Sequence, residues 1–320
     1  MPKTSVKRSG ESMQILEGLH ELIPQGTPEL AITFGNFDGV HSGHQQLIKE
    51  LRKKASDDNQ VLGIVTFIPH PRKILQIHAD GFLLTSYKQR RKLLSELGVD
   101  YLIEIPFNRD FSTLSAADFL DKYILTYPAL KAIYLGWDFA FGANKEGDAD
   151  IVKKHCHGRN IVVEEFGVYP VANETVSSTV IRNALVAGDM IKARSLLGRP
   201  FLIEGIVVKG EGRGKRIGVP TANLQIDTDI IHPASGVYVT ETSTKNMTYR
   251  SVTNIGHNPT FKDNKKLTIE THLIDFDEDL YGETLEVKFL ERLRSEKKFA
   301  TVNDLIEQIK KDIQLGRDYV

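Results

Sequence analysis

Cysteine is almost missing: Cys156 is the only one in 320 residues. A single thiol excludes an intrachain disulfide and any zinc site built on cysteines. No apolar run approaches the roughly 20 residues that a membrane-spanning helix needs. The polar, basic start "MPKTSVKRSGES" has no apolar stretch behind it, so it does not read as a secretory signal, and a disordered extension over residues 1–12 is expected. An excess of one charge is lacking too. Lys and Arg number 41 against 42 Asp and Glu, a formal net charge of -1, with no dense basic block to meet nucleic acid or an anionic membrane. There is no internal repeat and no low-complexity tract. These absences point to the cytoplasm, with no nucleic-acid partner and no membrane expected.

What is present is an ordinary globular mixture, 41% apolar and 26% charged, and the length suits two domains. From Leu30 to about Phe166, β-branched runs ("LAITFG", "VLGIVTF", "YLIEIPF", "KAIYLG", "NIVVEEF") alternate with helix-like stretches near Gln45–Ser56, Ser86–Leu97, Ser115–Leu125 and Gly147–His157. Ser115 and Asp118 have capping-box spacing. Strands separated by helices imply βαβ units and a buried parallel sheet. Two further helical runs, "STVIRNALVAG" and "DMIKARSLLG", lead to "GRP" at 198–200, where the rhythm changes. Beyond it lie strands with turn signals until "TVNDLIEQIKKDIQL", which reads as a small antiparallel barrel with one closing helix. The expected fold is thus α/β plus β, with domains at 13–186 and 187–320.

The stretch "GNFDGVHSGH", residues 35–44, sits where the first strong strand stops and the first helix starts. In open parallel sheets, ligands bind at the carboxyl ends of strands. Gly39 and Gly43 let backbone approach a ligand, the helix start favours an anion, and His41 and His44 add imidazole donors. A polyphosphate fits this arrangement. Taken alone, the pair also fits packed core histidines or two metal ligands, although no third ligand lies at suitable local spacing.

"KGEGRGKRIGVPTANL", residues 209–224, looks at first like a phosphate loop, but its spacings satisfy neither G-x-x-x-x-G-K-[ST] nor G-x-G-x-x-G. In "KLTIETHLIDF", alternation puts Leu267, Ile269 and Leu273 on one face and Thr268, Glu270 and His272 on the other.

These motifs resemble those of the bacterial bifunctional riboflavin kinase/FAD synthetases, over roughly residues 13–315. "GNFDGVHSGH" is similar to the H-x-G-H signature of nucleotidyltransferases, and "GVPTANL" to the P-T-A-N signature of riboflavin kinases; "FIPHP", "GWDFAFGANKEGD" and "SSTVIR" also match. The resemblance implies ATP-dependent phosphorylation of riboflavin to FMN by the C-terminal domain, and adenylylation of FMN to FAD by the N-terminal one. Alternatives are a chain that keeps one of these activities, or a flavin-sensing regulator that does not turn over. For adenylylation it implies His41 and His44 as catalytic groups, with Gly35, Asn36, Phe37, Asp38, Gly43, Ser177, Ser178, Thr179 and Arg182 at ATP and Asp138 near FMN. Val180 departs from the family, which often has Arg there. For the kinase it implies ATP contacts from Gly210, Gly212, Gly214, Lys215, Gly218, Pro220, Thr221 and Asn223. Thr221 and Asn223 would hold Mg²⁺, Glu270 would be the general base, and Asn258 and Arg294 would lie near the flavin.

Overall fold

The computed structural model describes residues 12–75, 81–137, 139–171, 174–210, 212, 214, 217–245, 247–258 and 266–319. The expectations placed on residues 1–11, Asp138, Lys215 and the Asn258 side chain lie outside the described residues. The chain divides into two compact units, one made from residues up to 79 with Tyr87–Val176, the other from 80–86 with Ser177 onward.

The first unit runs β1 (Gln14–Leu16), β2 (Leu30–Phe34), α1 (Ser42–Asp57), β3 (Val61–Ile68), α2 (Pro71–Ile74), α3 (Tyr87–Glu96), β4 (Tyr101–Pro106), α4 (Ala116–Phe119), β5 (Leu130–Gly136), α5 (Ala149–Cys156), β6 (Val162–Phe166) and a small ladder of β7 (Pro170–Val171) with β8 (Glu174–Thr175). Strands one to six form a single sheet in the order β1-β4-β3-β2-β5-β6, every pair parallel. All five residues of β2 are buried because both faces of the sheet are covered. Leu30, Ile32 and Phe34 pack with Phe119, Leu120 and Val152, whereas Ala31 packs with Leu47, Ile48 and Leu51 of α1 and Leu94 of α3.

All five expected strands are present, and β1 joins them at the edge through Gln14 opposite Tyr101. Its three residues are too few to show a period, so only pairing with β4 makes them a strand. The expected helix over Ser115–Leu125 is one α turn followed by a wider π turn at Leu120–Ile124. Ser115 Oγ caps it, accepting the Asp118 N–H at 3.0 Å and donating to the Asp118 carboxylate at 2.9 Å.

The second unit holds α6 (Ser178–Ala187), α7 (Met190–Leu197), β9 (Phe201–Val208), β10 (Ala222–Ile226), β11 (Gly236–Ser243), β12 (Thr248–Asn258), β13 (Lys266–Leu273), β14 (Thr284–Arg294) and α8 (Val302–Asp318). Its strands close into a barrel in the order β10-β13-β12-β11-β14-β9, all neighbours antiparallel. Phe289 stacks edge-on against Tyr238 at 5.4 Å in its core. Beside this aromatic pair the core is polar: Thr240, Thr242, Ser251, Thr253 and Thr271 are fully buried and bonded to one another at 2.7–3.3 Å. Each hydroxyl both donates and accepts, so the cluster satisfies itself without charge. α8 lies against Val237, Val252 and Ile274 through Ile313. Gly316 lets it approach, since a Cβ there would stand 2.8 Å from Val252 Cγ2.

Two candidate active sites

In the sheet order, the chain moves from β2 outward through β3 to β4, then returns to β5 on the other flank of β2. The carboxyl ends of β2 and β5 therefore bound the switch-point crevice where open α/β sheets bind ligands. Residues 35–41 leave β2 at that point. Phe37 (φ 48°), Gly39 (φ 81°) and Val40 (φ 38°) all occupy the left-handed region, which is costly for a β-branched residue and marks a turn held by its surroundings. Gly35 is required by contact rather than by φ, because a Cβ there would stand 2.9 Å from the Phe37 ring.

His41 is the N-cap of α1, its Nδ1 accepting the His44 N–H at 3.3 Å. The two imidazoles stack with centroids 3.6 Å apart and planes 15° from parallel, and Phe37 closes on His44 at 4.9 Å. His44 Nδ1 is shielded without a hydrogen-bond partner, while the residue as a whole is half-buried. Burial, reinforced by His41, holds its pKa well below the usual histidine value. His44 is therefore neutral near pH 7. A Cβ at Gly43 would meet the His41 ring at 3.4 Å and the Tyr169 carbonyl at 3.7 Å, ordinary contacts, so no close packing at that point requires glycine. Asp38 is buried beside this turn.

Ser177, Ser178, Thr179 and Arg182 lie at the start of α6 in the second unit. Ser177 is its N-cap, accepting the Val180 N–H at 3.4 Å. Arg182 donates Nε to the Phe82 carbonyl at 2.8 Å and lies 3.7 Å over the Phe82 ring.

In the barrel, β10 and β13 place Asn223 directly opposite Glu270, and β12 sets Asn254 on Glu270's other side. Thr221 Oγ1 donates to Glu270 Oε2 at 3.4 Å. His272 Nδ1 donates to the Pro220 carbonyl at 2.7 Å, fixing the segment ahead of Thr221. Ile269, Thr271 and Leu273 are buried while Glu270 and His272 are half-buried, so the alternation read from "KLTIETHLIDF" holds from Ile269 to Leu273; Leu267 and Thr268 before it are both half-buried. The glycines have separate reasons. A Cβ at Gly210 would overlap the Asn223 amide, one at Gly214 would overlap the Val219 carbonyl, and Gly212 (φ 68°) and Gly218 (φ 79°) need left-handed backbone. Gly210, Thr221, Asn223 and Glu270 line one cavity of about 1560 Å³, larger than the ~300–1,000 Å³ usual for one small ligand. Arg294 pairs its guanidinium with the buried Asp312 of α8 at 2.7 Å.

A riboflavin kinase family model (Flavokinase) matches residues 197–320, and an FAD synthetase family model (FAD_syn) matches residues 23–180. A bifunctional riboflavin kinase/FMN adenylyltransferase of Listeria monocytogenes is 35% identical over 90% of this chain and 91% of its own length. One from Pseudomonas fluorescens is 36% identical over 95% and 97%. The chain belongs to the bifunctional riboflavin kinase/FMN adenylyltransferase family. A Streptococcus pneumoniae protein, described in its crystal structure as a macrolide-efflux protein, shares the fold with TM-score 0.85 and 31% identity, over 97% of this chain and 100% of that one. No helix among the described residues is long and apolar enough to cross a membrane.

Within this family fold, two residues beside the histidine turn escaped the reading of the sequence. Arg90, in the charge-rich run "YKQRRKLLSE", looks solvated but is only 2% exposed, and Glu104 of β4 is 5% exposed. Two signals were present. Arg90 precedes Leu94, the other buried residue of α3, by one helical turn, and Glu104 is a lone charge inside an apolar parallel strand, which requires a partner.

Proposed function

We propose that this chain makes both flavin cofactors, phosphorylating riboflavin with ATP to give FMN in residues 187–320 and adenylylating FMN with ATP to give FAD and pyrophosphate in residues 13–186. The observation that carries this reading is that the histidine turn and the Thr221–Asn223–Glu270 group lie in different compact units, in a chain that bifunctional relatives match across nearly its whole length.

In the kinase step, Glu270 accepts the proton of the riboflavin 5′-hydroxyl as that oxygen attacks the γ-phosphorus, and ADP leaves. The Thr221 hydroxyl donates to one carboxylate oxygen of Glu270 at 3.4 Å and so orients the carboxylate. Among the described residues no group of three or more His, Cys, Asp or Glu could hold a metal ion. The Thr221 hydroxyl and Asn223 carbonyl instead offer the sparse oxygen donors that suit Mg²⁺ carried on nucleotide phosphates. When bound, Mg²⁺ neutralises charge on those phosphates. The glycine-rich segment covers the nucleotide, with Gly210, Gly212, Gly214, Lys215, Gly218 and Pro220 along it.

In the adenylyl step, an oxygen of the FMN phosphate attacks the α-phosphorus of ATP and the bond to pyrophosphate breaks. The nucleophile is already an anion, so the protein's task is positioning and charge stabilisation. His41, His44 and the N–H groups opening α1 stabilise the phosphates, with Gly35, Asn36, Phe37, Asp38 and Gly43 shaping the turn. The resemblance further assigns Ser177, Ser178, Thr179 and Arg182 to ATP and Asp138 to FMN. It also assigns Asn258 and Arg294 to the flavin, and Arg294 is given a supporting place because its guanidinium is held by Asp312.

Incubation with riboflavin, MgATP and pyrophosphatase, with FMN and FAD resolved over time, tests the whole reading. FMN is expected first and FAD after it. FMN that never becomes FAD, with none formed from supplied FMN, would reduce the protein to a kinase; flavin binding without any product would make it a regulator. Gly210→Ala provides a local check. Its Cβ displaces the Asn223 amide, so riboflavin phosphorylation is expected to fall about tenfold or more through misplacement, with FMN adenylylation unchanged in steady-state assays.

A further inference from the structure

One guanidinium links three pieces of the first unit. Arg90 Nη1 donates to the Asn36 carbonyl at 3.0 Å and to Thr66 Oγ1 at 3.3 Å, while Nη2 donates to Glu104 Oε1 at 3.1 Å. The other Glu104 oxygen is taken by Arg91, through Nε at 3.0 Å and Nη2 at 2.5 Å. The Tyr87 ring lies 5.0 Å from the Arg90 guanidinium. α3, β3, β4 and the histidine turn therefore converge on one buried charge. Burial works against the Arg90 proton and Glu104 works for it, and with arginine's high intrinsic basicity the group stays charged.

A plain ion pair would need only Glu104. What it does not account for is the bond to Asn36, the residue before Phe37, Gly39 and Val40 in their left-handed conformations. Such backbone persists only where the surroundings over-determine it. Asn36 immediately precedes that turn, and anchoring its carbonyl to Arg90 and Thr66 sets where the chain enters it. The charge of Arg90 also attracts Asp38, two residues further on. The turn ends at His41, which caps α1 and carries the stacked His44. A shift at Asn36 is thus passed to both imidazoles through Phe37, Asp38, Gly39 and Val40, four residues that have no regular secondary structure.

We infer that Arg90 is the positioning residue of the adenylyl-transfer site, fixing the Asn36 carbonyl and through it the placement of His41 and His44. This rests on the reading of that turn as the site of adenylyl transfer.

Arg90→Met alone would leave the buried Glu104 with Arg91 as its one remaining guanidinium partner, so the test is the double variant Arg90→Met/Glu104→Leu, which removes both buried charges and leaves the partly exposed Arg91 in water. Its kcat for FMN adenylylation is expected to fall about 10²-fold, the effect of an ~1 Å misplacement, with a smaller change in the KM for ATP and riboflavin phosphorylation within twofold. Arg90→Lys keeps the charge but not the rigid fork, and should recover about tenfold of that loss; it decides the matter if the double variant melts below the assay temperature. A purely structural role would not move one further signal. The Hε1 proton resonances of His41 and His44, shifted by ring stacking, should move toward unstacked positions in folded protein. A folded double variant that keeps kcat, or loses it with those resonances unmoved, overturns the proposal. His44→Ala in the same assay separates the two levels. If it leaves adenylylation intact, the turn is not the site and the positioning role falls with it; if it abolishes adenylylation while the double variant does not, only the positioning role fails.

Discussion

His44→Ala is expected to lower FAD formation from FMN by about 10²-fold or more, the usual cost of removing one preorganised donor from a developing charge. Riboflavin phosphorylation should stay within a few-fold of wild type, because Thr221, Asn223 and Glu270 belong to the other compact unit. His44 also packs, with His41 stacked at 3.6 Å and Phe37 at 4.9 Å, so the alanine variant leaves a gap. His44→Phe supplies a ring of similar shape with no nitrogen and should lose adenylylation to the same extent. The His41 cap is unaffected by either change, since its Nδ1 bonds the backbone N–H of residue 44 and not its side chain. Parallel assays of the two half-reactions, with folding checked by thermal melting, make the measurement. Equal loss of both activities in a folded variant would contradict the assignment of this turn to adenylyl transfer.

Glu270→Gln keeps the shape of the side chain and removes its capacity to take a proton. Riboflavin phosphorylation should fall by about 10²-fold or more, the worth of a positioned general base. The amide oxygen can still accept the Thr221 hydroxyl bond, so Thr221 and Asn223 remain placed, and calorimetric affinities for riboflavin and MgADP should stay close to wild type. FAD synthesis from supplied FMN should persist. A kcat that barely moves would transfer the role to His272 or to a metal-bound water. His272 is a defined alternative: donation from its Nδ1 to the Pro220 carbonyl leaves Nε2 as the acceptor of the neutral ring.

Much of this site chemistry is local, and local chemistry is legible in a sequence. The turn between β2 and α1 could be read because strand, glycines, histidines and helix follow one another within a few residues. The P-T-A-N segment and the alternation around Glu270 were legible for the same reason. The meeting of Asn223 with Glu270 was not, because the register of β10 against β13 is set only when the barrel closes. The ion pair of Arg294 was not legible either, because it is α8, a separate element, that brings Asp312 to its guanidinium.

By itself, the sequence determined the alternation of strands and helices in one half, the run of antiparallel strands in the other, and the residue types at both sites, since periodicity and turn chemistry act over a few residues. Tertiary structure alone decided which neighbours share an environment. It placed Arg90 at 2% exposure and the adjacent Arg91 side chain at 41%, although the two are the same residue type. It recruited the three residues of β1 to the sheet edge, and it filled part of the barrel core with mutually bonded hydroxyls. In each case the deciding interaction joins residues far apart in the chain, and its free energy exists only once the elements have packed.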